Sequence, residues 1–457
     1  MDRKTEIFEK MPVWKAIATL AIPAILSQLV TMIYNLADTF YIGQTNDPNQ
    51  VAAVTLSFGA FMILAAIANL FGIGGGSLMA RMLGQKRPQD AKRVAAFSFF
   101  GAGITALIYG VFVWIFLNPI LSLLGASTDT IGFARDYLFF TTVAGGLPTA
   151  LGITLGHLLR SEGGSRQASI GIAIGGVLNI ILDPIFIFTL DLGVAGAAIA
   201  TMISNCVALL YYFLLIFAMK EKTYLSLQPK EALIDKKLIR QILSVGIPAA
   251  TAVILMILTN ASLIKLLSAY GDVPIAAMGI VKKIDGIPFS IAMGLAQGVL
   301  PLVAYNYAAK DFHRMHAASR FARFAGVGFA ILCVITFELF APQLVLFFIG
   351  DPATVELGSG FLRVACLATP AMALFFLYNA TFQAMGKGKQ SFLLVVLRQL
   401  VINLPILFAL NAIFGMPGLV WTQLIADTLA VLMAAFLFAA TAKQLRAEKV
   451  KFETRSV

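Results

Sequence analysis

Apolar runs long enough to cross a lipid bilayer follow one another along almost the whole chain. A spanning helix needs about 20 such residues. Twelve runs meet that length, from 15–42 at the first to 417–442 at the last, with short links between them. Only 12% of the 457 residues are charged, against about 25% in an ordinary soluble domain. Backbone N–H and C=O groups in hydrocarbon must be paired within their own segment, which selects helices. The expectation is an all-α integral membrane protein of twelve transmembrane helices.

The links sort by charge. Arg81–Arg93, Arg160–Arg166, Lys220–Arg240, Lys310–Arg323 and Lys387–Lys389 are basic, as are both termini. The alternate links hold Asp47, Asp129, Asp191, Asp272 and Asp351 and no Lys or Arg. Basic links stay on the cytoplasmic side, so both termini are expected there. The same distribution accounts for the net charge of +11 without nucleic acid, because no soluble segment is long enough for a binding domain. The start, MDRKTEIFEKMPVWK, is mixed in charge. The run after it, with Gln28, Asn35 and Asp38, is too long and too polar for a cleaved signal peptide.

The chain also repeats itself. Ala21-Ile22-Pro23 returns as Gly246-Ile247-Pro248, Asn35 as Asn260, Pro148 as Pro370, and Asn179 as Asn403. Leu263 stands where the first half has Asp38. An even number of runs separates the matches, so the halves have one orientation and are related by an axis along the membrane normal. The expected organisation is two pseudo-symmetric six-helix lobes, 1–218 and 238–443, joined by a linker over 219–237 and followed by a tail over 444–457. Glycines cluster in Phe71-Gly72-Ile73-Gly74-Gly75-Gly76, a spacing that favours close helix packing.

Polar groups inside the runs carry the functional reading. Asn179 and Asp183 are spaced i, i+4, and so are Thr201 and Asn205, so each pair shares one helix face. A carboxylate at mid-membrane costs about 2.5–3.5 kcal/mol on insertion scales, and a chain that retains one uses it. Pro184 frees a backbone carbonyl one turn back. Asp183 lies eight residues before Asp191 and Thr201 eight after Gly193, both about 12 Å below the surface at 1.5 Å per residue. Asp38, eight residues before Asn46, reaches the same level. Asp38, Asn179, Asp183 and Thr201 thus form a set of hard oxygens suited to a small cation, sodium if a metal. Two carboxylates close together in a dry site also resist double ionisation, which suits a proton. Composition leaves the coupling ion open between H+ and Na+.

In the second half the polar residues are Lys282, Lys283 and Asp285, with Gln423 and Asp427. The lysines are expected to meet Asp285 through a bend at Gly286 and Pro288, and Arg398 to snorkel toward the nearer surface. Tyr34, Asn35, Asn205, Lys282, Lys283, Asp285, Gln297 and Asp427 are the candidates for substrate binding or gating. Cys206, Cys333 and Cys366 read as packing residues. No phosphate-binding G-x-x-x-x-G-K-[ST] loop, H-E-x-x-H or G-x-S-x-G occurs. His157 lies at a run's end and His313 and His316 in a basic link. No cofactor and no enzymatic activity are expected.

Several stretches together resemble one family, multidrug and toxic compound extrusion (MATE), in its MepA/DinF-like bacterial branch. They are Asn35-Leu36-Ala37-Asp38-Thr39, Ala80-Arg81-Met82-Leu83-Gly84-Gln85, Leu159-Arg160-Ser161-Glu162-Gly163, Asp183-Pro184, Gly294-Leu295-Ala296-Gln297-Gly298 and Ala384-Met385-Gly386-Lys387. The resemblance runs nearly end to end. It implies a two-lobed MATE/MOP fold, alternating access, and export of cationic and amphipathic small molecules against a proton or sodium gradient. The family's two aspartates fall on Asp38 and Asp183, its asparagine on Asn179 and its threonine on Thr201. The NorM-like pattern has acidic residues in the seventh and tenth spans, where this chain has Lys265 and Arg363. The expected partners are amphipathic substrates and membrane lipids around a monomer. The alternative is a lipid-linked saccharide flippase of a related two-lobed fold, which needs a basic central cavity.

Overall fold

A computed structural model describes residues 3–45, 47–219 and 222–453, with side chains from Glu6 to Gln444. Asn46, Lys220, Glu221 and the last four residues of the expected tail lie outside the described residues. Every regular element among the described residues is a helix. Ten helices are long and apolar enough to span a membrane, and two bent pairs complete the twelve. In order the spans are Val13–Gly43, Pro48–Gly84, Pro88–Ile115, Ile131–Ala144 with Gly146–Ser161, Ser165–Thr189 and Gly193–Met219 in the first lobe. The second lobe has Lys236–Tyr270, Asp272–Ala308, Phe312–Leu346, Pro352–Cys366 with Thr369–Ala384, Gly388–Phe414 and Met416–Gln444. The fourth span bends by 50° and the tenth by 43°, so the repeat extends to the breaks.

The acidic links also have a local task. Asp47 caps the second span by accepting from Asn49 N at 2.9 Å, and Asp351 caps the tenth by accepting from Thr354 N at 2.9 Å. Each is followed by a proline at the first helical position, where a missing N–H costs nothing. The turn between the fifth and sixth spans places Asp191 and Gly193 at φ +53°. Gln50 closes it, accepting from Val194 N at 2.9 Å.

Glycines set the contact between the lobes. Gly298 abuts Ala21, Gly294 abuts Ile25 and Gly286 faces Met32, so the eighth span runs antiparallel along the first. Gly74 and Gly246 meet at the matching seam of the second and seventh spans, and Gly59 faces Ile257 further along it. Within the first lobe, Gly72, Gly75 and Gly76 sit against His157, Ser98 and Ser161, so the cluster packs as expected. Two turns beyond Gly286 on the same helix face, a Cβ on Gly279 would meet nothing within 4 Å, and Asn35 and Thr39 opposite are exposed. The lobes therefore touch on the side bearing the chain's ends and part on the other. The eighth span is one continuous helix through Gly286, Pro288 and Pro301.

A short helix, Arg3–Glu9, crosses the closed side. Glu9 pairs with Lys86 of the first lobe and accepts from Tyr305 Oη of the second at 2.6 Å. Phe8 stacks on Tyr305 with ring centroids 4.8 Å apart, and Phe8 O accepts from Arg314 Nε at 2.6 Å. The inter-lobe segment is docked on the first lobe. Arg93 Nη2 donates to Leu233 O at 2.7 Å, and Thr223 Oγ1 to Glu162 Oε1 at 2.9 Å.

Candidate cation-coupling site

Asn179 and Asp183 are both buried on the fifth span. Asn179 Nδ2 donates to Asp183 Oδ1 at 3.1 Å and to Thr201 Oγ1 of the sixth span at 3.3 Å. Asp38, on the first span, lies within electrostatic reach of Asp183. The residues expected at one depth are thus gathered. Directly after Asp183-Pro184 the helix widens into a π turn over Ile185–Thr189, the form helices often take at functional positions.

Three oxygens of this cluster are buried and accept no hydrogen bond: Asp38 Oδ1, Asn179 Oδ1 and Asp183 Oδ2. Among the described residues no lysine or arginine interacts with either carboxylate. Buried acceptors are normally satisfied, and buried charge is normally paired. Two carboxylates, an amide oxygen and a hydroxyl stand here without a counter-charge among the described residues, the oxygen chemistry that small hard cations and protons prefer.

Tyr137 was not singled out in the sequence. It is buried on the fourth span and lies within electrostatic reach of Asp38, Tyr34 and Asp183. It stands beside Arg135 and Asp136 near the start of the fourth run, and nothing in the sequence says which way its ring turns. Tyr34 lies within electrostatic reach of Asp38. Asn205 turns away from the cluster and donates to Thr149 Oγ1 on the fourth span at 2.8 Å.

The second lobe holds a balanced network. Lys282 Nζ donates to Gln423 Oε1 at 3.0 Å, and Gln423 Nε2 to Asp427 Oδ2 at 3.2 Å. Arg398 Nε donates to Asp427 Oδ1 at 2.7 Å, and its guanidinium lies over the Phe375 ring at 4.6 Å. Arg398 does not snorkel. It is 7% exposed, because Asp427 supplies a charge partner from the twelfth span and Phe375 covers its face. Neither Lys282 nor Lys283 pairs directly with Asp285 among the described residues; Lys282 and Asp285 both line a cavity of about 40 Å³, together with Thr259, Asn260, Asn403 and Gln423.

Lys283 makes no hydrogen bond or ion pair among the described residues. It is half-buried one turn from Gly286, where the lobes part. Gln297 lies on the seam with the first span, between Gly294 and Gly298. Arg363 pairs with Glu338 at 3.8 Å near the surface. All three cysteines are free thiols, with Cys206 exposed and the other two buried. His157 is buried one turn from the end of the fourth span, with Nε2 3.2 Å from Asn69 Oδ1. Among the described residues no group of three or more His, Cys, Asp or Glu is gathered.

The MatE family model matches residues 23–185 and, again, 248–409, once per lobe. The chain belongs to the MatE family. It is similar over 436 residues, at 34% identity, to the multidrug export protein MepA of Staphylococcus aureus (strain MRSA252), covering 95% of this chain and 96% of that one. MepA of Staphylococcus haemolyticus (strain JCSC1435) is 32% identical over 451 residues, 98% of each chain. A crystal structure of MATE in complex with MaL6 superposes with a TM-score of 0.90 at 25% identity, covering 98% of this chain and 100% of that chain. An outward-facing multidrug resistance MATE transporter of the MOP superfamily superposes at 0.88 with 26% identity, covering 97% and 98%. This MatE chain is therefore a multi-pass membrane protein built from two repeated six-helix lobes.

Proposed function

We propose that this chain is a secondary antiporter that exports cationic and amphipathic compounds from a bacterial cell across its inner membrane, in exchange for protons or sodium. One observation carries the reading: among the described residues, three buried acceptor oxygens on Asp38, Asn179 and Asp183 have no partner, and no basic residue faces them. The names of its relatives, multidrug export proteins, supply the substrate class.

Asp38 stands on the first span, which lines the open side, while Asp183 and Thr201 stand behind it on the fifth and sixth. A cation or proton bridging them ties the first span to the other two. Release frees the first span to shift along the glycine seam with the second lobe. Binding that differs between the two positions is what an exchange of two solutes requires. The basic links and both termini face the cytoplasm in this reading, and the cleft opens outward. The protein works as a monomer among lipids, and its walls are supplied by apolar side chains.

In sealed proteoliposomes loaded with a fluorescent lipophilic cation, transport should follow either a pH gradient or a sodium gradient. Asp38→Asn and Asp183→Asn should each lower it about tenfold or more, within the 5- to 150-fold range of ordinary coupling. Full transport by Asp183→Asn would overturn the mechanism. The flippase alternative needs a basic cavity wide enough for a diphosphate. The second-lobe cavity at Lys282 has a volume of about 40 Å³ and a carboxylate on its wall, which supports the antiporter instead.

A further inference from the structure

The cavity in the second lobe stands where the repeat would place another cation site. Asn35, Asp38 and Asn179 correspond to Asn260, Leu263 and Asn403, and the equal spacing carries Asp183 to Leu407. All four second-lobe residues line the cavity around Lys282 and Asp285. The asparagines are retained and both aspartates have become leucine. A carboxylate is nevertheless present, because Asp285 enters from the eighth span. So is a cation: Lys282, one turn before it, lines the same space and lies within electrostatic reach of Asp285.

Charge and size agree. Lys282 and Arg398 balance Asp285 and Asp427, so the second-lobe network is neutral, whereas Asp38 and Asp183 of the first lobe have no counter-charge among the described residues. A cavity must offer about 10–15 Å³ to hold one water, so about 40 Å³ fits a few waters or one small ion and no drug. An ammonium is a compact point charge with three donors, close to a small cation in what it asks of oxygen ligands.

We infer that the second lobe keeps its cation site permanently filled by the chain's own Lys282 ammonium, hydrogen-bonded to Gln423 and facing Asp285 across the cavity, and that truncating Lys282 opens it to a free monovalent cation. The likeness drawn to the first lobe rests on the antiporter reading of that site. The occupancy of the second is tested with the first disabled, so the two readings fail separately.

The experiment follows the melting temperature of the purified full-length protein in detergent. Sodium, ammonium and methylammonium chloride are titrated against choline chloride at constant ionic strength. The proteins compared are Asp38→Asn, Asp38→Asn with Lys282→Ala, and that pair with Asp285→Asn. The double variant should gain a saturable upward shift with at least one small cation that Asp38→Asn alone lacks, and Asp285→Asn should remove it. No shift beyond choline, or a shift that survives Asp285→Asn, overturns the inference. If the double variant aggregates without added cation, its recovery as a monodisperse protein in ammonium but not choline reads out the same site. Aggregation in both overturns it.

Discussion

At the scale of single residues, the two lobes treat buried charge in opposite ways. The first leaves Asp38 and Asp183 open for something mobile, and the second ties Arg398 to Asp427 at 2.7 Å. Removing one member of a buried pair strands the other and costs about 3–5 kcal/mol, while replacing both with apolar residues is far milder. Arg398→Met should therefore lower the melting temperature sharply, and Arg398→Met with Asp427→Leu should recover most of the loss, as read by fluorescence-detected size exclusion after heating. Tyr137→Phe removes a hydroxyl beside Asp38 and Asp183 without changing the packing against Val194 and Ala198. Transport by this variant should weaken while its thermal stability stays near that of the parent. The Asn179, Asp183 and Thr201 group was legible because i, i+4 spacing along one helix, and depth from a short turn, are properties of sequence. Arg398 with Asp427 was not, because the two stand on different spans, and nothing in either stretch says which face turns to which.

At the scale of elements, the span count, the link charges and the repeat were all legible, since they follow from length, hydropathy and recurrence. The bends in the fourth and tenth spans were not, because apolar runs on either side of a break read as one. Nor was the seam between lobes, although its glycines stood in plain view. Small residues mark close approach without naming the partner. Gly246 is the tightest point of that seam: an added Cβ would run into the backbone carbonyl of Leu70. Backbone cannot swing away as a side chain does, so Gly246→Val should force the seventh span off the second. Spin labels placed on the outer faces of the two lobes near the closed side should report a longer distance than in the parent protein. An unchanged distance would show that the seam yields elsewhere.

At the scale of the whole molecule, the closed side is held by the small group of Glu9, Lys86 and Tyr305, all outside the spans or at their ends. The Lys86 ammonium, and then the Tyr305 hydroxyl, hold the Glu9 carboxyl below its usual range, and Glu9 holds Lys86 above its own. Docking by Glu9 is therefore fully present above the ordinary glutamate value, about 4.3, and fades as pH falls through the lowered one. Docking by Lys86 is fully present below the ordinary lysine value, about 10.4, and fades above the raised one. Hydrogen exchange of residues 3–9 should be flat in protection between those limits once the intrinsic pH dependence is removed. Glu9→Gln should lose protection throughout, by a modest amount, since the Lys86 side chain is 66% exposed and water screens the pair.

That same short helix has a place in time as well as in space. Phe8 takes its hydrogen bond from Asn306, which lies 298 residues further along the chain. On a ribosome adding about 5–20 residues per second, those partners are made many seconds after the helix itself. Until the eighth span has been threaded, Phe8 has no Tyr305 to stack upon. Docking of the first residues therefore marks the completion of both halves, and a chain interrupted after its first lobe would carry Ile7 and Phe8 uncovered, a ready signal for quality control.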